Sequence, residues 1–88
     1  MLTPDYTGQF KKDYNLAMKR GYDISLLDAI IIELSNERQL SAKYCDHALV
    51  GNWVGWRECH IKGDWLLIYQ IGEGVIVFDR TGTHSDLF

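Results

Sequence analysis

Residues 53–82 read WVGWRECHIKGDWLLIYQIGEGVIVFDRTG, and this stretch decides how the second half of the chain folds. Three runs within it, residues 53–61, 64–72 and 74–82, are rich in the Trp, Ile, Val, Tyr and Phe residues that favour strands. The segments KGD (62–64) and GEG (72–74) are short turn signals between those runs. The pattern therefore predicts three consecutive strands that pair as an antiparallel meander.

The first half of the chain has helical periodicity instead. From residue 6 or 7 to residue 20, apolar side chains recur at spacings of three and four, and Gly21 is suited to end that helix. A second helix follows, with Asp23 or Ser25 as its N-cap. The preceding segment LTPDY (2–6) contains a proline, so it forms at best an edge strand.

These elements predict an α+β fold in which an N-terminal helical hairpin packs on one face of a small antiparallel sheet, in the order (β)ααβββ. A chain of 88 residues has room for one domain, so residues 1–88 are expected to form a single unit. Residues 35–52 lack clear periodicity and are expected to form a long connection. The second face of the sheet would be open, and an open face in a monomer needs a purpose.

The composition and charge narrow the class of protein. The chain is 47% hydrophobic and 24% charged, which is typical of a globular domain. Its net charge of −3 argues against a strong nucleic-acid binder, although residues 11–20 hold a local excess of positive charge. Cys45 and Cys59 do not suggest a disulfide framework, and no segment reads as a signal peptide or a membrane span. A cytoplasmic protein with free thiols is expected.

Period-two alternation assigns the strand residues to the two faces of the sheet. In the first of the three strands, one face carries Trp56, Glu58 and His60, and the other carries Arg57, Cys59 and Ile61. The same rule groups Arg80 with Ile76 and Phe78 in the third strand.

The turns of the meander then bring a polar group to one end of the sheet: His47, His60, Asp64, Arg80 and His84. The group includes all three histidines of the chain. Imidazoles titrate near neutral pH, so with a carboxylate and an arginine they suit the cleavage of an RNA phosphodiester. That reaction needs a base for the 2′-hydroxyl, an acid for the departing 5′-oxygen and positive charge for the phosphate.

Structural explanations exist for each of these residues taken singly. A histidine can serve only as a hydrogen-bonding residue, an Asp between strands can be a turn residue, and an arginine can form a surface ion pair. A metal site is the other interpretation that these residue types allow, but no His, Cys, Asp or Glu stands at a familiar short ligand spacing. The residues therefore predict no metal and no cofactor.

Residues 46–88 carry a family resemblance. They contain DH-x-L-x-G-x-W, then R-E-x-H-x-x-x-D-W-x-L-I-Y, then F-x-R-T-G-T-H-x-x-L-F, in that order. This combination resembles the YafQ branch of the RelE/ParE superfamily of bacterial toxins, and it covers essentially the whole second half of the chain. The resemblance implies a ribosome-dependent mRNA endonuclease, the toxin of a type II toxin–antitoxin pair, which cuts mRNA in the ribosomal decoding site without a metal.

The resemblance also implies the site residues. Carried over position by position, the active site contains His47, His60, Asp64, Arg80, His84 and Phe88. We expect His84 to be the general acid and Asp64 the general base, with His60 able to share either role. Arg80 would neutralise the phosphate in the transition state, His47 would bind a neighbouring phosphate, and Phe88 would hold a nucleotide in line. Substrate contacts are expected from Trp65, Lys62 and Arg57.

Two consequences concern the last residues and the partners. If His84 and Phe88 are catalytic, the C-terminal segment must be tied down, because chain ends usually fray. The resemblance further implies a cognate antitoxin, a DinJ/RelB-like ribbon-helix-helix protein that contacts operator DNA for the complex, together with the 70S ribosome and mRNA as targets. A catalytically inactive regulatory module and a ParE-like inhibitor of DNA gyrase are the alternatives.

The pI of about 5.4 departs from the basic character of such toxins. An acidic chain is expected to bind ribosomal RNA less strongly and to be less potent. Contact with a phosphate, however, requires positive charge only near the site.

Overall fold

The computed structural model describes residues 1–88, and it contains the predicted elements in the predicted order together with two that were not predicted, a short strand at His47–Ala48 and a short helix at His84–Leu87. In chain order they are β1 (Thr3–Tyr6), α1 (Gly8–Lys19), α2 (Ile24–Ser35), β2 (His47–Ala48), β3 (Arg57–Lys62), β4 (Trp65–Ile71), β5 (Val75–Gly82) and α3 (His84–Leu87). Two short 3-10 turns, Ala42–Tyr44 and Gly51–Trp53, lie within the long connection. No helix is long and apolar enough to span a membrane.

Local capping explains where the two long helices begin and end. The Thr7 side chain accepts a hydrogen bond from the Phe10 amide, and the Asp23 side chain accepts one from the Ser25 amide. Of the two caps considered for α2, the structure therefore uses Asp23. Gly21 has φ +79°, and its amide donates to the Met18 carbonyl. This left-handed residue ends α1 and allows a four-residue turn into α2.

The α+β architecture is confirmed, but the sheet is mixed. Its five strands lie in the order β1-β5-β4-β3-β2. The meander β3–β4–β5 is antiparallel as predicted, whereas β1 pairs with β5 in parallel, from Thr3 opposite Val75 to Tyr6 opposite Phe78. The prediction that the whole sheet is antiparallel was therefore wrong for β1. The reason is that the two helices and the meander separate β1 from β5, which is the long crossover that a parallel pair requires.

The two faces of the sheet are packed differently. The face under α1 and α2, here called the helix face, holds a 14-residue core that includes Phe10, Leu27, Cys59, Tyr69 and Phe78. The opposite face, here called the site face, holds a small cluster of Leu66, Ile68 and Leu87. The site face is therefore not bare, because α3 places Leu87 on it.

A β-bulge at Asp79 changes the expected orientation of Arg80. Across β4 and β5 the register runs from Tyr69 opposite Phe78 directly to Ile68 opposite Arg80, so Asp79 is the extra residue. Phe78 belongs to the helix-face core, whereas Ile68 belongs to the site-face cluster. Grouping Arg80 with Phe78 by simple alternation was therefore wrong. The extra residue reverses the parity and directs the start of the Arg80 side chain towards the site face.

Candidate active site

The strand register places the polar residues of the site face in two rows. One row crosses four strands, from His47 to Glu58, Ile68 and Arg80. The next row runs from His60 to Leu66 and Gly82, after which α3 begins with His84. Neighbouring strands lie about 4.8 Å apart, so residues distant in sequence stand side by side. Leu66 and Ile68 are fully buried and form an apolar floor between them.

The three histidines form a continuous line of rings, here called the imidazole cluster. The centroids of His47 and His60 are 6.3 Å apart, and those of His60 and His84 are 6.1 Å apart. The ring of Phe88 continues the line at 6.1 Å from His84 and also meets the edge of Trp53 at 5.8 Å. The structure thus brings together three of the predicted histidines and the terminal phenylalanine.

Asp64 lies at the β3–β4 turn and binds His84 twice. Its Oδ1 accepts a hydrogen bond from the His84 backbone amide at 3.3 Å and contacts His84 Nδ1. These contacts lower the pKa of the Asp64 carboxyl below its usual value. An ionised carboxylate can only accept, so Nδ1 carries the proton and Nε2 is directed to incoming groups. Both side chains are more than half exposed, so a substrate can reach them.

Glu58 is a site residue that sequence reasoning did not select. Its Oε1 lies 3.4 Å from His60 Nε2 and 3.9 Å from His47 Nε2, and its side chain is only 6% exposed. His47 Nδ1 is hydrogen-bonded to the Cys45 carbonyl at 2.6 Å, which requires a proton on that nitrogen. Alternation placed Glu58 on the face of His60, but its burial between two imidazoles depends on β2, which the sequence did not reveal.

Arg80 stands apart from the imidazole cluster. Its Nε donates to Asp13 Oδ2 at 2.7 Å and its Nη2 donates to Asp13 Oδ1 at 3.3 Å. Asp13 lies on α1, is 8% exposed and also accepts a hydrogen bond from the Thr81 amide. This pairing raises the pKa of Arg80. No hydrogen bond or ion pair joins Arg80 to a histidine, and Nη1 has no partner in the protein.

The C-terminal segment is held in place by three kinds of contact. Thr83 and Asp86 form a reciprocal capping box at the start of α3. Asp86 also accepts hydrogen bonds from Arg20 at 2.6 and 3.2 Å, which ties α3 to the end of α1. Leu87 is buried on the site face. A Cβ at Gly82 would lie 2.9 Å from Asp86 Oδ2, so glycine is needed for this tight turn.

Three predicted substrate contacts lie elsewhere. Trp65 is 5% exposed, packs in the helix-face core and donates to Thr81 Oγ1 at 2.9 Å. Arg57 pairs with Asp46 on the helix face, opposite His60. Alternation turns both side chains towards the helix face, so neither contacts the imidazole cluster. Lys62 is exposed and lines a groove beside Asp64 on the helix side of the turn.

Fold and site together define a small α+β protein with an exposed cluster of imidazoles and carboxylates on one face of its sheet. The family described as the bacterial toxin of type II toxin–antitoxin system, YafQ, matches residues 2–88. The chain therefore belongs to the YafQ toxin family. It is 42% identical over 85 residues to the mRNA interferase toxin YafQ of Escherichia coli K12, covering 96% of this chain and 92% of that protein.

Solved structures of similar proteins share the fold. The YafQ chain of the E. coli DinJ–YafQ toxin–antitoxin complex has a TM-score of 0.92 at 42% identity, with 99% of this chain and 97% of that chain covered. A metal-bound toxin from Helicobacter pylori has a TM-score of 0.93 at 42% identity, with both chains fully covered. In the present chain, no group of three or more His, Cys, Asp or Glu side chains is arranged to hold a metal ion.

Proposed function

We propose that this chain is an mRNA interferase, the toxin of a type II toxin–antitoxin pair, which cleaves RNA by attack of the 2′-hydroxyl on the adjacent phosphorus. The observation that carries the proposal is the exposed Asp64–His84 pair with the His60 ring 6.1 Å from His84. Two imidazoles facing one space can serve as the base and the acid that this reaction needs. A cytoplasmic site of action follows from an mRNA substrate.

His84 is the general acid in this proposal. Its Nδ1 proton is held by Asp64, so Nε2 can deliver a proton to the departing 5′-oxygen. The carboxylate also stabilises the imidazolium before transfer. Because His84 lowers the pKa of Asp64, the Asp64 carboxylate is a weaker base than an ordinary aspartate. We therefore replace the general-base role expected for Asp64 from the family resemblance with that of a positioning residue, which orients the His84 ring.

His60 takes the part of the general base. Its Nε2 lies 3.4 Å from the Glu58 carboxylate, which can orient the ring and stabilise it after it accepts the 2′-hydroxyl proton. His47 lies on the other side of Glu58 and is half exposed, so it can bind a neighbouring phosphate. The proposed acid and the proposed base thus each adjoin a separate carboxylate, Asp64 for His84 and Glu58 for His60.

Arg80 and Phe88 position the substrate. Asp13 accepts hydrogen bonds from Nε and Nη2 of the Arg80 guanidinium, which leaves Nη1 available to donate to a phosphate oxygen. Phe88 is 58% exposed beside His84, so its ring can stack on a base. The antitoxin is proposed to be a DinJ-like protein, since the similar E. coli toxin forms a complex with DinJ. Operator DNA would then be contacted through the antitoxin.

Cleavage of ribosome-bound mRNA tests this function. The purified protein is added to translating ribosomes programmed with one mRNA in its normal frame and in a shifted frame, and 5′ ends are mapped. We expect cuts that follow the reading frame, because the ribosome positions the mRNA at the site. These cuts should disappear with His84→Gln, which removes the proposed general acid. Cuts that ignore the frame would contradict ribosome dependence, and absence of any cut would favour the inactive regulatory module.

A further inference from the structure

A groove adjoins the candidate active site on the helix side of Asp64. It lies between the α1–α2 turn and the β3–β4 turn and has a volume of about 440 Å³. Tyr22 and Lys62 stand on its walls, and the exposed Asp64 carboxylate forms its rim towards His84. Tyr22 is partly buried and packs on buried Trp65 with ring centroids 5.0 Å apart, so its position is fixed.

The groove continues into a second hollow. This hollow has a volume of about 360 Å³ and shares Leu26 and Lys62 with the first. Its own aromatic residue is Tyr44, and Lys43 Nζ lies 5.0 Å from the centre of the Tyr44 ring. Each hollow therefore combines an aromatic ring, an apolar floor and a lysine. We call the two hollows together the lysine track.

The charges of the molecule leave this track available to an anion. All four arginines of the chain are paired with carboxylates, namely those of Asp86, Glu33, Asp46 and Asp13. Lys43 and Lys62 form no ion pair and are exposed. Two acidic residues line the track, and both have partners: Asp23 is the N-cap of α2 and binds the amide and the hydroxyl of Ser25, and Asp64 binds His84.

We propose that the lysine track binds the RNA segment on the 3′ side of the cut, with the first downstream base against Tyr22 and the next near Tyr44. Unspecific recognition of single-stranded RNA combines cationic groups for phosphates with aromatic faces for bases, and the track provides both. The assignment of the track to the 3′ side of the cut, rather than the 5′ side, rests on the proposed function. If His84 protonates the departing 5′-oxygen, the downstream nucleotide lies on the side of His84, where Asp64 opens into the track.

Substitutions in the track test this inference, with matched controls outside it. Tyr22→Leu and Tyr44→Leu remove one ring each, and Tyr6→Leu removes a tyrosine of β1 that lies outside the track. Lys62→Gln and Lys43→Gln remove the charges, and Lys11→Gln on α1 is the control. Cleavage rates are measured on mRNA-programmed ribosomes, and the bases flanking each cut are counted. Urea unfolding confirms that every variant is folded.

The expected result is a change on the 3′ side alone. Tyr22→Leu should lower cleavage about tenfold through a raised KM and should alter the base preference directly 3′ of the cut. The two lysine substitutions should each lower cleavage a few-fold and reduce its salt dependence, whereas the control variants cleave like the unaltered protein.

Unchanged rates and base frequencies would overturn the inference, as would a change confined to the 5′ side. A uniform loss without a change in base preference would point to a contact with ribosomal RNA and would also overturn it. A separate variant tests the catalytic assignment: normal cleavage by His84→Gln would contradict the role of His84. The base frequencies at the cuts made by Tyr22→Leu would still test the track in that case.

Discussion

Two pairs of a carboxylate with a basic side chain differ in their exposure to solvent in this molecule. Asp13 and Arg80 form a pair in which the side chains are 8% and 24% exposed, and Asp13 also binds Gln9 and the Thr81 amide. Asp64 and His84 form a pair in which both side chains are more than half exposed.

The difference in exposure suits the two pairs to different roles: the buried pair can stabilise the fold, and the exposed pair can contact a substrate. A buried, fully occupied carboxylate holds a cation in one place and makes breaking the pair costly. An exposed carboxylate contributes little to stability, but its partner can exchange protons with a substrate. The molecule therefore uses the Asp13–Arg80 pair to join α1 to β5, and it leaves the Asp64–His84 pair accessible on the site face.

The largest expected effect is on the exposed pair. Replacing His84→Ala should lower the rate of mRNA cleavage by about 10²- to 10⁴-fold, because it removes the proposed general acid. The urea midpoint should not change, since the ring is 56% exposed. Ser85→Ala, on the same short helix, is the matched control and should be neutral. A clear drop in stability with His84→Ala would mean that this pair is also a structural one.

The buried pair should show the opposite pattern. Asp13→Ala should lower the free energy of unfolding by about 2–3 kcal/mol, because Arg80 and the Thr81 amide lose their acceptor. Equilibrium unfolding in urea measures the change, with exposed Asp5→Ala as the control. Equal stability of the two variants would remove the contrast between the pairs. Arg80→Ala should likewise lose both activity and stability, so the two effects must be measured together.

Glu58 offers an intermediate case, since it is buried yet adjoins the imidazole cluster. Glu58→Gln preserves the shape and removes the charge beside His60, so cleavage should fall roughly tenfold, in kcat with little change in KM. The free energy of unfolding should stay the same or rise, because a buried carboxylate is costly to desolvate. A loss of stability with unchanged kcat would make Glu58 a purely structural residue.

The smallest expected effect concerns the anchor of the C-terminal segment. Hydrogen bonds from Arg20 and from the Thr83 amide lower the pKa of Asp86. A lowered pKa stabilises the fold above the unfolded value of about 3.9, and this stabilisation is lost as the pH falls through the folded value.

Asp86→Asn should therefore lower stability by about 1 kcal/mol at pH 7, and the difference from the unaltered protein should shrink below about pH 4. Urea unfolding at pH 7 and at pH 3 measures both quantities. A difference that is constant with pH would show that the capping geometry matters and the charge does not.

Much of the fold could be predicted from local pattern. Helical periodicity with Thr7, Asp23 and Gly21 at the helix ends placed α1 and α2, and aromatic and β-branched runs placed β3 to β5. The parallel pairing of β1 could not be predicted, because four exposed residues carry no periodic signal and their partner lies about seventy residues away.

The site was predictable to a lesser extent. Alternation and the turns brought His60, Asp64 and His84 together, as the structure shows. Alternation assigned Arg80 to the wrong face of the sheet, because the bulge at Asp79 inserts one extra residue into β5. Nothing in the local sequence indicates this bulge. Glu58 was missed, since a carboxylate in a strand is normally solvated and nothing local indicates that two imidazoles bury it.

The amino-acid sequence by itself determined the elements, their order and the set of ionisable groups, because periodicity and capping act between residues only a few positions apart. Tertiary structure alone decided which of those groups became scaffold and which stayed accessible. That division depends on burial and on partners from distant elements, such as Asp13 on α1 behind Arg80 on β5. Long-range packing sets both, and no local pattern of residues records it.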